Sequence, residues 1–215
     1  MAEVEQRITR LAPHPRRADR FVVERDGEPW LLLSAARVAE LGIVVGERLT
    51  SERVAAIERA GAVDAAMDIA LRALASRPRS EAELAQRLRQ EGTAEDIVAE
   101  VLSRLRHLGY LDDRAFAEAW VTQRRRFSPR GAAALRRELR VRGVAPEIID
   151  AVVGNDSVDD LEAARAVAQK HWHRLQRLDR AVAERRLIGV LQRRGFSWSV
   201  IHRVVKSLLE AEGEE

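Results

Sequence analysis

The sequence predicts a mainly α-helical protein: three tandem three-helix repeats in an elongated, curved array, preceded by a small N-terminal α/β cap containing a β-hairpin. Three observations predict it. The 215 residues are 46% apolar and 33% charged but only 4% aromatic, a mixture that helical proteins use and that sandwiches and barrels do not. Three glycines, Gly92, Gly143 and Gly195, recur at spacings of 51 and 52 residues inside matching apolar patterns. A hairpin signal, Asp26-Gly27 between two apolar runs, is confined to the first part of the chain.

Taken in order, Arg20–Arg25 and Glu28–Ser34 flank Asp26-Gly27, where glycine supplies the positive φ of a tight turn. Pro29 lies early in the second run and marks it as an edge strand. Ser34 caps a short helix that runs to Leu41 and stops at Gly42, and Ile43–Leu49 offers one more short strand. Thr50 or Ser51 then caps a helix to Ala60, closed by Gly61. These elements make the cap, residues 1–63.

Beyond it the chain repeats. Four residues before each glycine stands Leu88, Leu139 or Leu191, and eight before stands Leu84, Leu135 or Leu187. Five and six after come Ile97-Val98, Ile148-Ile149 and Val200-Ile201; nine and ten after come Val101-Leu102, Val152-Val153 and Val204-Val205. These are the i, i+4 stripes of two helices meeting at a glycine corner. Each pair follows a further helix, near residues 65–75, 113–126 and 159–177. Ser80 with Glu83 forms a capping box; Asp112 or Asp113 starts the second repeat; Ser128-Pro129 reads as a cap with proline at the first helical position; Ser197 caps the last helix. The repeats therefore span 64–111, 112–156 and 157–215. A unit of this size is marginal alone, so neighbours share buried surface.

Chemistry is hard to find. Cysteine is absent, which removes disulfides, thiol nucleophiles and zinc–thiolate sites. His171 and His173 are two apart on a helix and point to different faces, so they cannot share a metal. No glycine-rich phosphate loop occurs, and no nucleophile is paired with a base. We expect no catalytic residue, metal or cofactor, and no enzyme. No apolar run approaches the ~20 residues of a membrane span, and Met1–Arg10 lacks the apolar stretch of a signal peptide. A cytoplasmic monomer with no membrane partner is expected.

Net charge is only +3, with 37 basic residues against 34 acidic ones, but the distribution is uneven. From Arg124 to Arg142 there are eight arginines against Glu138 alone; from Arg165 to Arg194 there are nine basic residues against Asp179 and Glu184. On a helix from Pro129 to Arg142, Ala132, Leu135 and Leu139 form the buried stripe. Arg130, Arg136, Arg137 and Arg140 then share an arc of roughly 120° beside it. Arg124, Arg125 and Arg126 end the preceding helix, where cations also suit the helix dipole. Arg185, Arg186 and Arg193 group opposite Leu187 and Leu191. These ten arginines are the candidate surface for an anionic polymer or an acidic protein groove; a solvated helix face is the alternative. Phe116, Trp120, Trp172 and Trp198 read as core anchors rather than base-stacking residues.

Gly109–Val121, reading GYLDDRAFAEAWV, resembles the most recognisable segment of the bacterial RecX family of regulatory proteins. The run Ser128–Val144 is similar to that family's second signature, and Arg79–Leu84 with Leu88 and Gly92 to its first-repeat pattern. The likeness covers about residues 65–209, with the third repeat the least family-like. It makes Leu111, Asp112, Asp113, Phe116, Trp120, Leu139 and Gly143 structural residues of the motif. It also implies what composition does not. Members bind the recombinase RecA, lie along the groove of its filament on DNA, block extension or promote disassembly, and so lower ATPase, strand-exchange and SOS coprotease activities. The partners it implies are the RecA filament and, weakly and without sequence preference, single- or double-stranded DNA. Helices paired about a glycine-containing turn also suit a helix-turn-helix-like transcription regulator, which would bind duplex DNA tightly at specific sequences.

Overall fold

In the computed structural model the described residues are 6–154 and 158–212. They are mostly helical and form repeated three-helix domains behind an N-terminal sheet. They belong to two compact units, Met1–Arg79 with Leu84–Leu111, and Ser80–Glu83 with Asp112–Glu215. The expected 156/157 repeat boundary lies outside the described residues.

The first unit opens with strands β1 (Gln6–His14), β2 (Arg17–Arg25) and β3 (Glu28–Ser34), helix α1 (Ala35–Leu41) and a two-residue strand β4 (Arg48–Leu49). The sheet is antiparallel in the order β3-β2-β1-β4. The hairpin turns at Asp26-Gly27, with φ of 54° and 88°, and Ser34 caps α1 by accepting the Arg37 N–H. Strand β1 was not expected. Pro13 interrupts its alternation, and Ile8 is its one side chain fully withdrawn from water.

Helix α2 runs unbroken from Ser51 to Ser76. The expected stop at Gly61 does not occur. Gly61 lacks the positive φ of a helix-ending glycine, and the missing Cβ instead lets the helix approach Leu31, whose side chain would stand 3.4 Å from a Cβ there. The front of α2 puts Ile57 and Ala60 into the sheet's core with Ile8, Val23, Leu33 and Ile43. Its rear puts Ala66, Ala70 and Ala73 into a second core with α3 (Glu81–Gln90) and α4 (Glu95–His107). One helix thus serves both cap and first repeat. Ion pairs span the same contact: buried Arg20 of β2 pairs with Asp64 and Asp68 of α2, Arg17 pairs with Asp68 at 2.6 Å, and Asp64 accepts the Ser34 N–H at 2.6 Å, so the buried charges are matched.

The second unit contains α5 (Asp113–Phe127), α6 (Ala132–Val141), α7 (Pro146–Val153), α8 (Val158–Leu175), α9 (Arg180–Arg193) and α10 (Trp198–Glu212). Asp112 caps α5 by accepting the N–H groups of Arg114 and Ala115, and Ser197 Oγ accepts the Val200 N–H at the start of α10. Ser128-Pro129 does not start α6. Ser128 ends α5, and Gly131 stands at the α6 N-cap, so Pro129 and Arg130 lie in the connection.

All three glycine corners are built alike. Gly92, Gly143 and Gly195 have φ of 81°, 75° and 82°. The residue after each, Thr93, Val144 or Phe196, donates its N–H to the carbonyl of Leu88, Leu139 or Leu191, the Schellman arrangement that only an αL residue permits cheaply. The six leucines at the two aligned positions are fully buried. Leu84 and Leu88 lie in the first repeat's core, Leu135 and Leu139 in the second's, Leu187 and Leu191 in the third's.

Within the second unit one junction occurs twice. Ser80 Oγ donates to the Arg142 carbonyl, and Gly131 N–H donates to the Arg194 carbonyl at 2.9 Å. Each acceptor immediately precedes a corner glycine. Asp113 accepts the Glu81 N–H at 2.8 Å, and Asp160 accepts the Ala132 N–H at 2.9 Å, so the orphan donor that opens α3 or α6 is met by a carboxylate from the following repeat. Burial pushes the Asp113 carboxyl above the ordinary range, partly offset by that N–H. A Cβ on Gly143 would fall well inside 3.0 Å of the Ala82 Cβ, and one on Gly195 would be 2.5 Å from Ala134. Here glycine serves close approach as well as φ.

Candidate interaction surface

The arginine-rich run of the second repeat divides into cations held internally and cations left at the surface. Glu138, its single acid, is the hub. It accepts Trp120 Nε1–H at 3.0 Å and Arg124 Nε–H at 2.8 Å, and Arg130 approaches it to 3.7 Å. The Trp120 ring lies between two guanidiniums, Arg124 at 4.3 Å and Arg142 at 3.8 Å from its centre, each a cation–π contact. Arg142 also pairs with Glu83 at 3.2 Å. Arg136 donates to the Gly154 carbonyl and pairs with Asp150 at 3.4 Å, tying α6 to α7. Arg125 approaches Asp160 to 3.9 Å.

The expected arc of four arginines on one helix is therefore not formed as drawn. Arg130 is off the helix, and Arg130 and Arg136 point to neighbouring carboxylates. Arg137 and Arg140 are exposed and have no ion pair among the described residues. Arg126, exposed at the end of α5, lies 5.1 Å over the Phe127 ring. Phe127 is itself 72% exposed and Val141, closing α6, is 81% exposed. In the third repeat Arg185, Arg186 and Arg193 are exposed on α9, and the Arg193 guanidinium folds back to within 3.2 Å of where a Gly189 Cβ would lie.

The motif residues are mostly structural in place. Leu111, Phe116 and Leu139 are buried, Trp120 packs against the second core, and Phe116 and Trp120 stack at 6.3 Å. Trp172 is buried in the third core. Trp198 is not: it is 60% exposed at the first turn of α10, because Phe196, two residues earlier at the corner, takes the anchoring position at 5% exposure. Reading by helical phase missed Phe127 as an exposed aromatic, since it repeats the phase of Phe116 but ends its helix beyond the core. Arg142 was missed too; its signal is a position next to the corner glycine, shared with Arg194, which donates to the Pro129 carbonyl at 3.2 Å.

No cluster of three or more His, Cys, Asp or Glu that could hold a metal occurs among the described residues. Burial, with Arg194 and other nearby cations, lowers the His171 pKa. No helix among the described residues is long and apolar enough to cross a membrane. What the arrangement supplies is exposed arginines, with Phe127 beside Arg126, on a helical frame.

Three models of one family match in tandem: the first three-helix domain of RecX over residues 66–105, the second over 112–153 and the third over 158–205. The chain is 40% identical over 154 residues to a protein of Streptomyces coelicolor described as regulatory protein RecX, covering 71% of this chain and 82% of that one. It is 38% identical over 148 residues to the protein of that description from Thermobifida fusca, covering 68% and 80%. The fold is similar to a crystal structure of regulatory protein RecX, with a TM-score of 0.78 and 24% identity over 93% of this chain and 98% of that one. A second, from Lactobacillus salivarius, gives 0.64 and 21% over 68% and 96%. The two solved structures speak to the fold; the tandem domains and the 40%-identical relative carry the conclusion that this chain belongs to the RecX family of regulatory proteins.

Proposed function

We propose that this protein is a negative regulator of the RecA recombinase. It binds the groove of the RecA–DNA filament and blocks extension or promotes disassembly. DNA-dependent ATP hydrolysis, strand exchange and SOS coprotease activity fall as a result. The observation that carries this reading is the tandem match of all three RecX three-helix domains in a chain with 40%-identical RecX relatives. The surface supports it: Arg126, Arg137 and Arg140 in the second repeat, with Arg185, Arg186 and Arg193 in the third, are cations left to face an acidic groove or phosphates. RecA is the principal partner. DNA, single- or double-stranded, is bound weakly and without sequence preference. The protein acts as a cytoplasmic monomer without a cofactor.

The test uses the two arginines that hold nothing else together. Charge reversal of Arg130 or Arg136 would break contacts to Glu138, Asp150 and Gly154 and confuse binding with folding. The double variant Arg137→Glu/Arg140→Glu leaves those contacts intact. It is expected to need about tenfold more protein for half-inhibition of RecA, equivalent to ~1.4 kcal/mol, with an unchanged circular dichroism spectrum. A folded double variant that inhibits as well as the parent removes this surface from the account. Tight, sequence-specific duplex binding with no effect on RecA would instead favour a transcription regulator.

A further inference from the structure

By count the first repeat has no excess of positive charge: residues 64–111 hold seven basic and eight acidic side chains. Their placement is another matter. Asp64 and Asp68 pair with Arg20, and Asp96 and Glu100 with Arg59 on the other half of α2. Glu95 is held by Arg89, which lowers its pKa through a direct hydrogen bond. With these acids engaged, three arginines converge elsewhere. A concavity of about 560 Å³ lies between the last turns of α2 and helix α3, lined by Arg72, Arg79, Arg87, Ser76 and Glu91 over a floor of Ile69 and Ala73.

Each guanidinium has capacity to spare. Arg79 donates Nε–H to the Ala73 carbonyl at 3.1 Å, which fixes its plane and leaves both Nη groups without a protein partner among the described residues. Arg72 is exposed and has no hydrogen bond or ion pair among them; Asp68, one turn earlier, is occupied by Arg17 and Arg20. Among the described residues Arg87 pairs only with exposed Glu91, one turn on, a contact of little worth in water. The pocket therefore carries three cations against one carboxylate.

We propose that this pocket binds a phosphate group presented by a nucleic-acid backbone. Three guanidiniums lining one concavity suit the several oxygens of a phosphate, to which each can donate in pairs. The lining has no aromatic ring and no apolar slot for a base, so it reads charge and not sequence. The site deepens the proposed sequence-indifferent binding of DNA and rests on that reading for its partner, while its test does not involve the action on RecA.

The test is anisotropy of a fluorescent oligodeoxynucleotide with the full-length protein across a salt series. Arg72→Ala/Arg87→Ala, which spares the Arg79 contact, is expected to bind about tenfold more weakly at low salt. Its plot of log affinity against log salt should be shallower by about 1–2, the slope that one or two lost phosphate contacts remove. Arg72→Glu, at an exposed side chain without a partner, serves as the second variant should the double variant fold poorly, and is expected to change binding in the same direction. Unchanged affinity and slope in a folded variant overturn the proposal. Inorganic phosphate is titrated in parallel against chloride at equal ionic strength. A thermal shift that needs Arg72 and Arg87, with oligonucleotide binding unaltered by their loss, assigns the pocket to the free anion and overturns the nucleic-acid source. Preferential displacement of the oligonucleotide from these arginines by polyglutamate would assign it to an acidic protein segment and overturn it likewise.

Discussion

Replacing Gly131 with alanine is expected to destabilise the protein by about 3–5 kcal/mol, more than the ordinary preference of an N-cap for glycine over alanine accounts for. The backbone is not the obstacle, since φ is −77° at Gly131. Space is. A Cβ there would lie 2.5 Å from Gly195 C and from Phe196 Cα, and closer still to the Gly195 carbonyl oxygen. These are main-chain atoms at a corner held by its own hydrogen bonds, so they cannot turn aside as a flexible side chain would. The segments must separate. Separation loosens the Gly131 N–H bond to Arg194, the Ala132 N–H bond to Asp160 and the Arg194 bond to Pro129. Each is worth about 1 kcal/mol when whole, so weakening the three costs about 2 kcal/mol, and overpacking adds about 1–3 kcal/mol. Gly92→Ala is the control: its φ is 81° but nothing lies within 4 Å of the added Cβ, so it should cost only about 1–2 kcal/mol, the penalty of an αL residue. Urea denaturation followed by circular dichroism compares the two. A Gly131→Ala variant no less stable than Gly92→Ala would mean that the junction between the second and third repeats is not the close main-chain contact described.

Alanine at Leu88, Leu139 and Leu191 should be costly at all three sites. The residues stand four before equivalent corner glycines, lend their carbonyls to equivalent bonds and are fully buried in three separate cores. Removing the isobutyl group leaves a cavity that rigid helices close only in part, at about 2–5 kcal/mol each. Leu139 is the most informative, because its core is closed by Phe116, Val121, Ile149 and Val153 around it. Denaturation midpoints of the three single variants measure this. A negligible loss at Leu139 would break the equivalence of the repeats.

The repeat was legible because it rests on periodicity. Leu84 and Leu88, with Ile97, Val98, Val101 and Leu102, mark one face each of two helices, and Gly92 marks the corner without any tertiary knowledge. The hairpin at Asp26-Gly27 was legible for a similarly local reason. Where local signals met long-range constraints, reading failed. Gly61 suits a helix stop in sequence, but its use is to admit Leu31. Ser128-Pro129 suits a cap, but the close approach of Gly195 requires glycine at 131 and starts α6 there. Helical phase put Arg130, Arg136, Arg137 and Arg140 on one side. It could not show that Glu138 and Asp150 lie within reach of two of them, and ion pairing decides which arginines remain for a partner. Charge counting likewise hid the Arg72, Arg79 and Arg87 pocket, since the acids that balance it in sequence are engaged elsewhere in space.

The most direct test of the proposed regulatory role is ATP hydrolysis by the host's RecA on single-stranded DNA, with this protein titrated upward from well below equimolar. Strong inhibition at substoichiometric levels is the predicted result, since arresting growth at a filament end, or starting disassembly, takes fewer molecules than covering every subunit or competing for DNA. No inhibition at molar excess, by a protein whose circular dichroism shows it folded, would contradict the account.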